Sequence, residues 1–122
     1  MSTIAERVAA GAAFLDEHDP DWWREDAERA IDLDALSLGS TTCCVLGQRC
    51  PLEIVATLDP EHEDEDGPFW AYALVLSGMQ DDSAVMEWAT DHGFADIPAL
   101  RYPELTSRWI WVITERRTLV TA

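Results

Sequence analysis

The ten residues TTCCVLGQRC, 41 to 50, hold all three cysteines of the 122-residue chain. Thiols this close together could bind a metal, run a redox couple, or simply pack. A structural zinc site takes four ligands, usually as two close pairs that each turn tightly around one tetrahedral ion. The spacing here is C-C-x5-C, so a site would have to recruit His62 or His92 as its fourth ligand. Dithiol redox chemistry works through a C-x-x-C pair with a lowered thiol pKa, and the chain has no such pair. Adjacent Cys43 and Cys44 are poorly placed to bond each other, so a disulfide framework is not expected. Reduced thiols packed in the interior are expected, because unpaired cysteine is among the most buried residue types. The alternative is a small metal-binding or thiol-dependent enzyme built on Cys43, Cys44, Cys50 and a histidine.

The other chemically suggestive stretch is DPEHEDEDG, 59 to 67, with Asp59, Glu61, Glu63, Asp64, Glu65 and Asp66 as six carboxylates. Close carboxylates suit hard cations, but an EF-hand loop with Gly67 in the sixth place would begin at His62 and end at Ala73, and both ends fail. A solvated acidic loop is the expectation. The chain has no G-x-S-x-G elbow, P-loop, G-x-G-x-x-G or H-E-x-x-H. His18 lies beside Asp19 and His62 in the acidic run, while His92 sits where a helix end would favour its charge. No catalytic residue, metal or cofactor is expected.

Charge narrows the partners. Twenty-four acids face eight basic residues, all arginine, for a net −16. Nucleic acid and anionic membrane both need a positive face, so direct binding to either is excluded. The acidity is uneven, −7 over residues 1 to 40, −11 over 41 to 100 and +2 over 101 to 122. The opening MSTIAERVAAGAAFL carries Glu6 and Arg7 where a signal peptide needs an unbroken apolar run, and no run is long enough for a membrane span. A cytoplasmic protein is expected.

The elements that must position these residues read mainly as helices. Ser2 or Thr3 can cap a first helix whose Ile4, Val8, Gly11 and Leu15 form one stripe. Pro20 ends it and predicts a second helix, capped by Asp19, that starts with Trp22 and Trp23 and continues through Ala27, Ala30 and Ile31. IDLDALSL fits an extended stretch or an irregular turn on the core. Thr41 or Thr42 would cap a short helix before Pro51, and Leu52, Ile54, Val55 and Leu58 make the next apolar segment. PFWAYALVLSGM, apolar almost all round, predicts a buried helix ended by Gly78. Asp81 to Ser83 can cap the next helix, which Gly93 and Phe94 close in a Schellman ending. For YPELTSRWIWVITERRTLV, the spacing of Leu105, Trp109, Val112, Arg116 and Leu119 decides for helix over a strand-like Trp109 to Ile113. The fold expected is a mainly α, compact bundle of about five helices in a single domain, 1–122, with an acidic surface loop and room for short extended segments.

Six tryptophans are many for this length. Trp22 and Trp23 lie about 100° apart on a helix, and Trp109 and Trp111 about 200° apart, so one of each pair could be left outside. An exposed tryptophan is a natural anchor for a protein contact. Trp22, Trp23 and Trp111, with the six acids of the loop, are therefore the candidate protein-contact residues.

Taken together, LDEHDPDWW, IDLDALSL, CVLGQ, HGF and LTSRWIWVITERR resemble a group of small proteins of uncharacterised activity from actinobacteria and the phages that infect them. Pro20, Trp22 and Trp23, Cys44 to Gln48, Gly93, Phe94, Trp109, Arg116 and Arg117 carry the match, while the stretch between Arg49 and Met79 departs from it. The resemblance implies a compact helical protein and such a source, and no particular activity. The function expected is a non-enzymatic acidic protein-binding module, such as a phage-encoded modulator of a host factor. A DNA mimic, inhibiting a nucleic-acid-binding protein with carboxylates in place of phosphates, is the sharper alternative. An oligomer hiding its tryptophans in a self-interface is a third reading.

Overall fold

Thr3 caps the first helix reciprocally: its hydroxyl accepts from Glu6 N–H, and the Glu6 carboxylate accepts from Thr3 N–H. The computed structural model describes residues 3–40, 43–55, 67–96 and 101–121. These form helices α1 (Ile4–His18), α2 (Val45–Arg49), α3 (Leu52–Val55), α4 (Gly67–Ser77), α5 (Asp82–Asp91) and α6 (Tyr102–Thr121), with no strand among the described residues. The architecture is mainly α, and α2 and α3 are single turns. α4 packs against α2, α3 and α5, while α1 packs against α5 and α6.

The closest joint is between α1 and the end of α5. The α5 helix ends as its sequence predicts: Phe94 N–H reaches Ala89 O at 2.8 Å, Gly93 N–H reaches Thr90 O at 3.2 Å, and Gly93 takes φ 73°. A side chain at Gly93 would stand 2.8 Å from Val8 N, so the turn lies directly on the α1 backbone. Around this joint, Phe94 stacks on Trp109 at 5.5 Å and Trp109 meets the edge of Trp22 at 5.6 Å. Trp109 Nε1–H donates to Gly93 O at 2.6 Å, which satisfies a buried donor that would otherwise be costly.

The second predicted helix does not form; residues 19–40 run as a series of turns. Their carbonyls find other donors. Arg117 reaches Trp23 O and Ile31 O, each at 2.8 Å, and Arg49 reaches Arg29 O at 2.9 Å. Asp19, the expected cap, instead receives Arg49 through two bonds of 2.6 and 2.9 Å. The acids at 21, 25 and 28 also fall at spacings where like charges weaken a helix. The segment still buries Trp22, Ile31, Leu36 and Leu38, as an irregular turn packed on the core would.

Two further expectations change. Thr41 and Thr42 lie outside the described residues, and α2 is capped by Cys44, whose sulfur accepts from Gly47 N–H at 3.2 Å. The all-apolar α4 is not buried all round: Tyr72 and Ala73 are inside while Val75 is 60% exposed. It lies over α2 and α3 on one side and α5 on another, with an outer edge left open.

Candidate functional site

Helix α6 has two faces of opposite character. Leu105, Trp109 and Ile113 are spaced by four and bury the inner one. Trp111, about 200° further round the helix, stands on the outer face with 52% of its surface exposed. The Arg108 guanidinium lies over its ring, 4.3 Å from the centroid, a cation–π contact that holds the indole in place. Shallow concavities flank the ring. One of ≈ 480 Å³ is bordered by Ile4, Glu104 and Ser107, and the other, of ≈ 490 Å³, by Ile110, Thr114, Glu115, Thr118 and Leu119. Leu119, 69% exposed, adds an apolar side chain to the border of the second concavity.

The inward half of α6 shows where the positive charge goes. Arg116 pairs with Asp16 and lies over the Trp22 ring, and Trp22 Nε1–H donates to the same carboxylate at 3.0 Å. Burial works against ionisation of Asp16, and the bonds from Arg116 and Trp22 outweigh it, leaving the carboxyl below its usual range. Asp96 behaves alike: burial opposes its charge, but Arg101 and Arg7 hold it ionised and below the usual range. Arg49 is committed to Asp19, Arg29 donates to Arg49 O at 3.2 Å, and Arg24 pairs with Asp26. The arginines thus serve mostly as internal ties. By contrast, the exposed carboxylates of Asp21, Glu25, Glu28, Asp32 and Asp34, and of Asp81, Asp82, Glu87 and Asp91 around α5, make no ion pair among the described residues.

Of the candidate contact residues, Trp111 is at the surface and Trp23 is half-buried. Trp22 is corrected: it is wholly buried between Trp109 and Arg116 and unavailable to a partner. The two indoles of the WW pair separate because only one can enter the core while Arg117 holds the intervening backbone at Trp23 O. Asp59, Glu61, Glu63, Asp64, Glu65 and Asp66 lie outside the described residues. Sequence reasoning passed over Arg108 and used Leu119 only for its helical spacing, although Arg108, three residues before Trp111, was within reach of the i, i+3 rule.

The cysteines take up structural positions. Cys44 and Cys50 are buried, Cys43 is half-buried, and all three are reduced. Burial pushes the Cys44 thiol up to about 12 and outweighs its hydrogen bond from Gly47, and burial also raises Cys50. Neither is a ready nucleophile. Among the described residues, no three His, Cys, Asp or Glu side chains gather as a metal site requires. At pH 8, a maleimide or disulfide reagent is expected to modify Cys43 in the native protein, and Cys44 and Cys50 only after unfolding. Mass spectrometry of the labelled peptides checks this, and rapid native labelling of Cys44 would refute the packing role.

The words that carry the sequence resemblance meet one another in space. Gln48 of CVLGQ binds Asp32 N–H at 2.7 Å and Cys43 O at 2.9 Å, Arg117 ties the WW pair to α6, and Thr106 Oγ1 accepts from Leu38 N–H at 2.9 Å. These bonds tie separate parts of the described chain to one another. No protein-family model, curated protein or solved structure matches the chain. No helix among the described residues is long and apolar enough to cross a membrane.

Proposed function

We propose that this chain is a protein-binding module whose contact surface centres on Trp111 and whose partner is basic. The observation that carries the reading is the exposure of Trp111 on a helix that buries its neighbour Trp109. Tryptophan and arginine are the side chains that most often dominate interface energies, and Arg108 already lies on the ring. The concavities on each flank give a partner's side chains places to seat. The unpaired carboxylates raise the encounter rate with a positive surface, most strongly at low salt.

The test passes actinobacterial lysate over immobilised wild-type protein and over Trp111→Ala, with elution by rising salt and then by duplex DNA. Because the indole is half outside and packs chiefly on Arg108, the variant should keep its stability within about 0.5 kcal/mol. It should bind the retained partner about 30-fold more weakly, the loss of about 2 kcal/mol typical of an interface anchor. Equal retention by both proteins would overturn the reading. Specific release by duplex DNA, unaffected by the substitution, would favour the acidic surface as a phosphate mimic.

A further inference from the structure

A cavity of ≈ 400 Å³ opens where the loop 38–40 meets the first turns of α4, α5 and α6. It is a different place from the Trp111 ridge, because Tyr102 on its wall stands nine residues before Trp111, about 14 Å along the α6 axis. The size is that of a small-molecule site. Four aromatic rings and a thioether contribute to the wall, from Phe69 and Trp70 on α4, Met86 on α5, Phe94, and Tyr102 on α6, beside a comparable share of polar surface. Among the described residues that line it, Asp82 is the one carboxylate, and none is an arginine or a histidine.

The wall is held in place by contacts that leave the cavity open. Leu38 N–H is bound to Thr106 Oγ1 at 2.9 Å, which fixes the loop against α6. Gly39 lies flat on the Tyr102 ring, where an added Cβ would stand 3.6 Å from Cγ. Phe94 is clamped between Trp88 and Trp109. Side chains fixed before binding need not be ordered by the ligand, which favours affinity.

We infer that this cavity binds a methylated ammonium group, with the rings of Phe69, Trp70 and Tyr102 facing the cation and Asp82 supplying the charge at the rim. Aromatic faces attract cations through their quadrupoles, and most effectively those whose methyl groups make them easy to dehydrate. The Met86 thioether offers a polarisable contact to the same methyls. An anion would meet a carboxylate and no cationic side chain among the described lining residues, inside the field of a chain with net charge −16. The helix starts around the cavity carry partial positive charge that would favour an anion, and Asp82, in the first turn of α5, opposes it. The inference does not rest on the Trp111 interface.

Choline and its neutral isostere 3,3-dimethylbutan-1-ol separate charge from shape. Each is titrated into the full chain at physiological salt, with binding followed by calorimetry and by chemical-shift changes of the tryptophan indoles. Choline is expected to bind about tenfold more tightly than the isostere. Asp82→Asn, a change at an exposed side chain that leaves the fold intact, should weaken choline about threefold and leave the isostere unchanged. A peptide carrying trimethyllysine presents the same head group. Tighter binding of the peptide than of choline assigns the group to a protein, and the reverse assigns it to a free small molecule; either keeps the proposal. Equal affinity for choline and the isostere, or no shift of the Trp70 indole with either, would overturn it. Trp111→Ala should leave these titrations unchanged, so failure here is distinct from failure of the protein-contact reading.

Discussion

Asp19→Ala is expected to lower the stability of this protein by about 3–5 kcal/mol, the usual cost of stranding a buried charge. The Arg49 side chain is only 4% exposed, and Asp19 accepts two of its three hydrogen bonds. Removing the carboxylate leaves a guanidinium in the interior with the Arg29 carbonyl alone. Tyr72 Oη–H, which donates to Asp19 at 3.2 Å, loses its acceptor in the same step. Burial, and then the nearby Asp19 charge, pushes the Tyr72 phenol up to about 12, so in the native protein it is a neutral donor. The pair matters because it joins the start of the irregular segment to α2. Arg49→Met should cost less than Asp19→Ala, since Asp19 is nearer to solvent and keeps Tyr72. Urea denaturation of both single variants and the double variant measures this. The double variant should be more stable than the sum of the two losses by about 2 kcal/mol or more. Simple additivity would show that the buried ion pair is not a unit.

Gly11→Ala should cost about 2–4 kcal/mol, opposite in sign to the effect of the same change in an open helix. In an exposed helix interior, alanine gains up to about 1 kcal/mol over glycine. Here the added methyl would fall on the His92 carbonyl oxygen and within 3.0 Å of Trp109 Cζ2. The His92 carbonyl cannot retreat, because it belongs to the Schellman turn whose Gly93 already lies on Val8. Trp109 cannot retreat without giving up Phe94 and its bond to Gly93 O. The melting temperature should fall by roughly 10 °C, as thermal unfolding followed by circular dichroism would show. An unchanged or raised melting temperature would mean that α1 and α5 can separate at no cost, contrary to the packing described.

The parts of the fold legible in the sequence are those determined by neighbours in the chain. A cap at Thr3, one of the two offered, the stripe through Val8 and Leu15, and the Gly93 ending are each set within a few residues and are found in the structure, which adds the Glu6 half of the cap. The helical choice for the last segment also holds, because the spacing of Leu105 and Trp109 outweighs the strand preference of residues 109 to 113. Residues 19–31 read wrongly as a helix because the donors that decide their conformation, Arg49 and Arg117, lie far along the chain and leave no local signal. The cap of α2 is Cys44, a residue type outside the usual N-cap set, and Ser40 O, four residues back, accepts from Cys44 N–H and draws the chain round before α2 begins.

The candidate site divides the same way. Trp111 was legible, since its angle from Trp109 placed one indole outside. The burial of Trp22 was not, because it depends on Asp16 and Arg116, a hundred residues apart in sequence. Nor was the aromatic cavity, assembled from five separate stretches of the chain.

The central claim is that Trp111 is held outside as a contact residue while most of the arginines are spent on ties within the protein. Hydroxyl-radical footprinting of the protein, alone and loaded with the partner it retains, reads that claim at the side chain itself. Trp111 should be oxidised readily in the unbound protein and protected in the complex, with the buried Trp22 and Trp109 unreactive in both. If Trp111 were as reactive in the complex as in the unbound protein, the contact would lie elsewhere and the account of this face would be wrong.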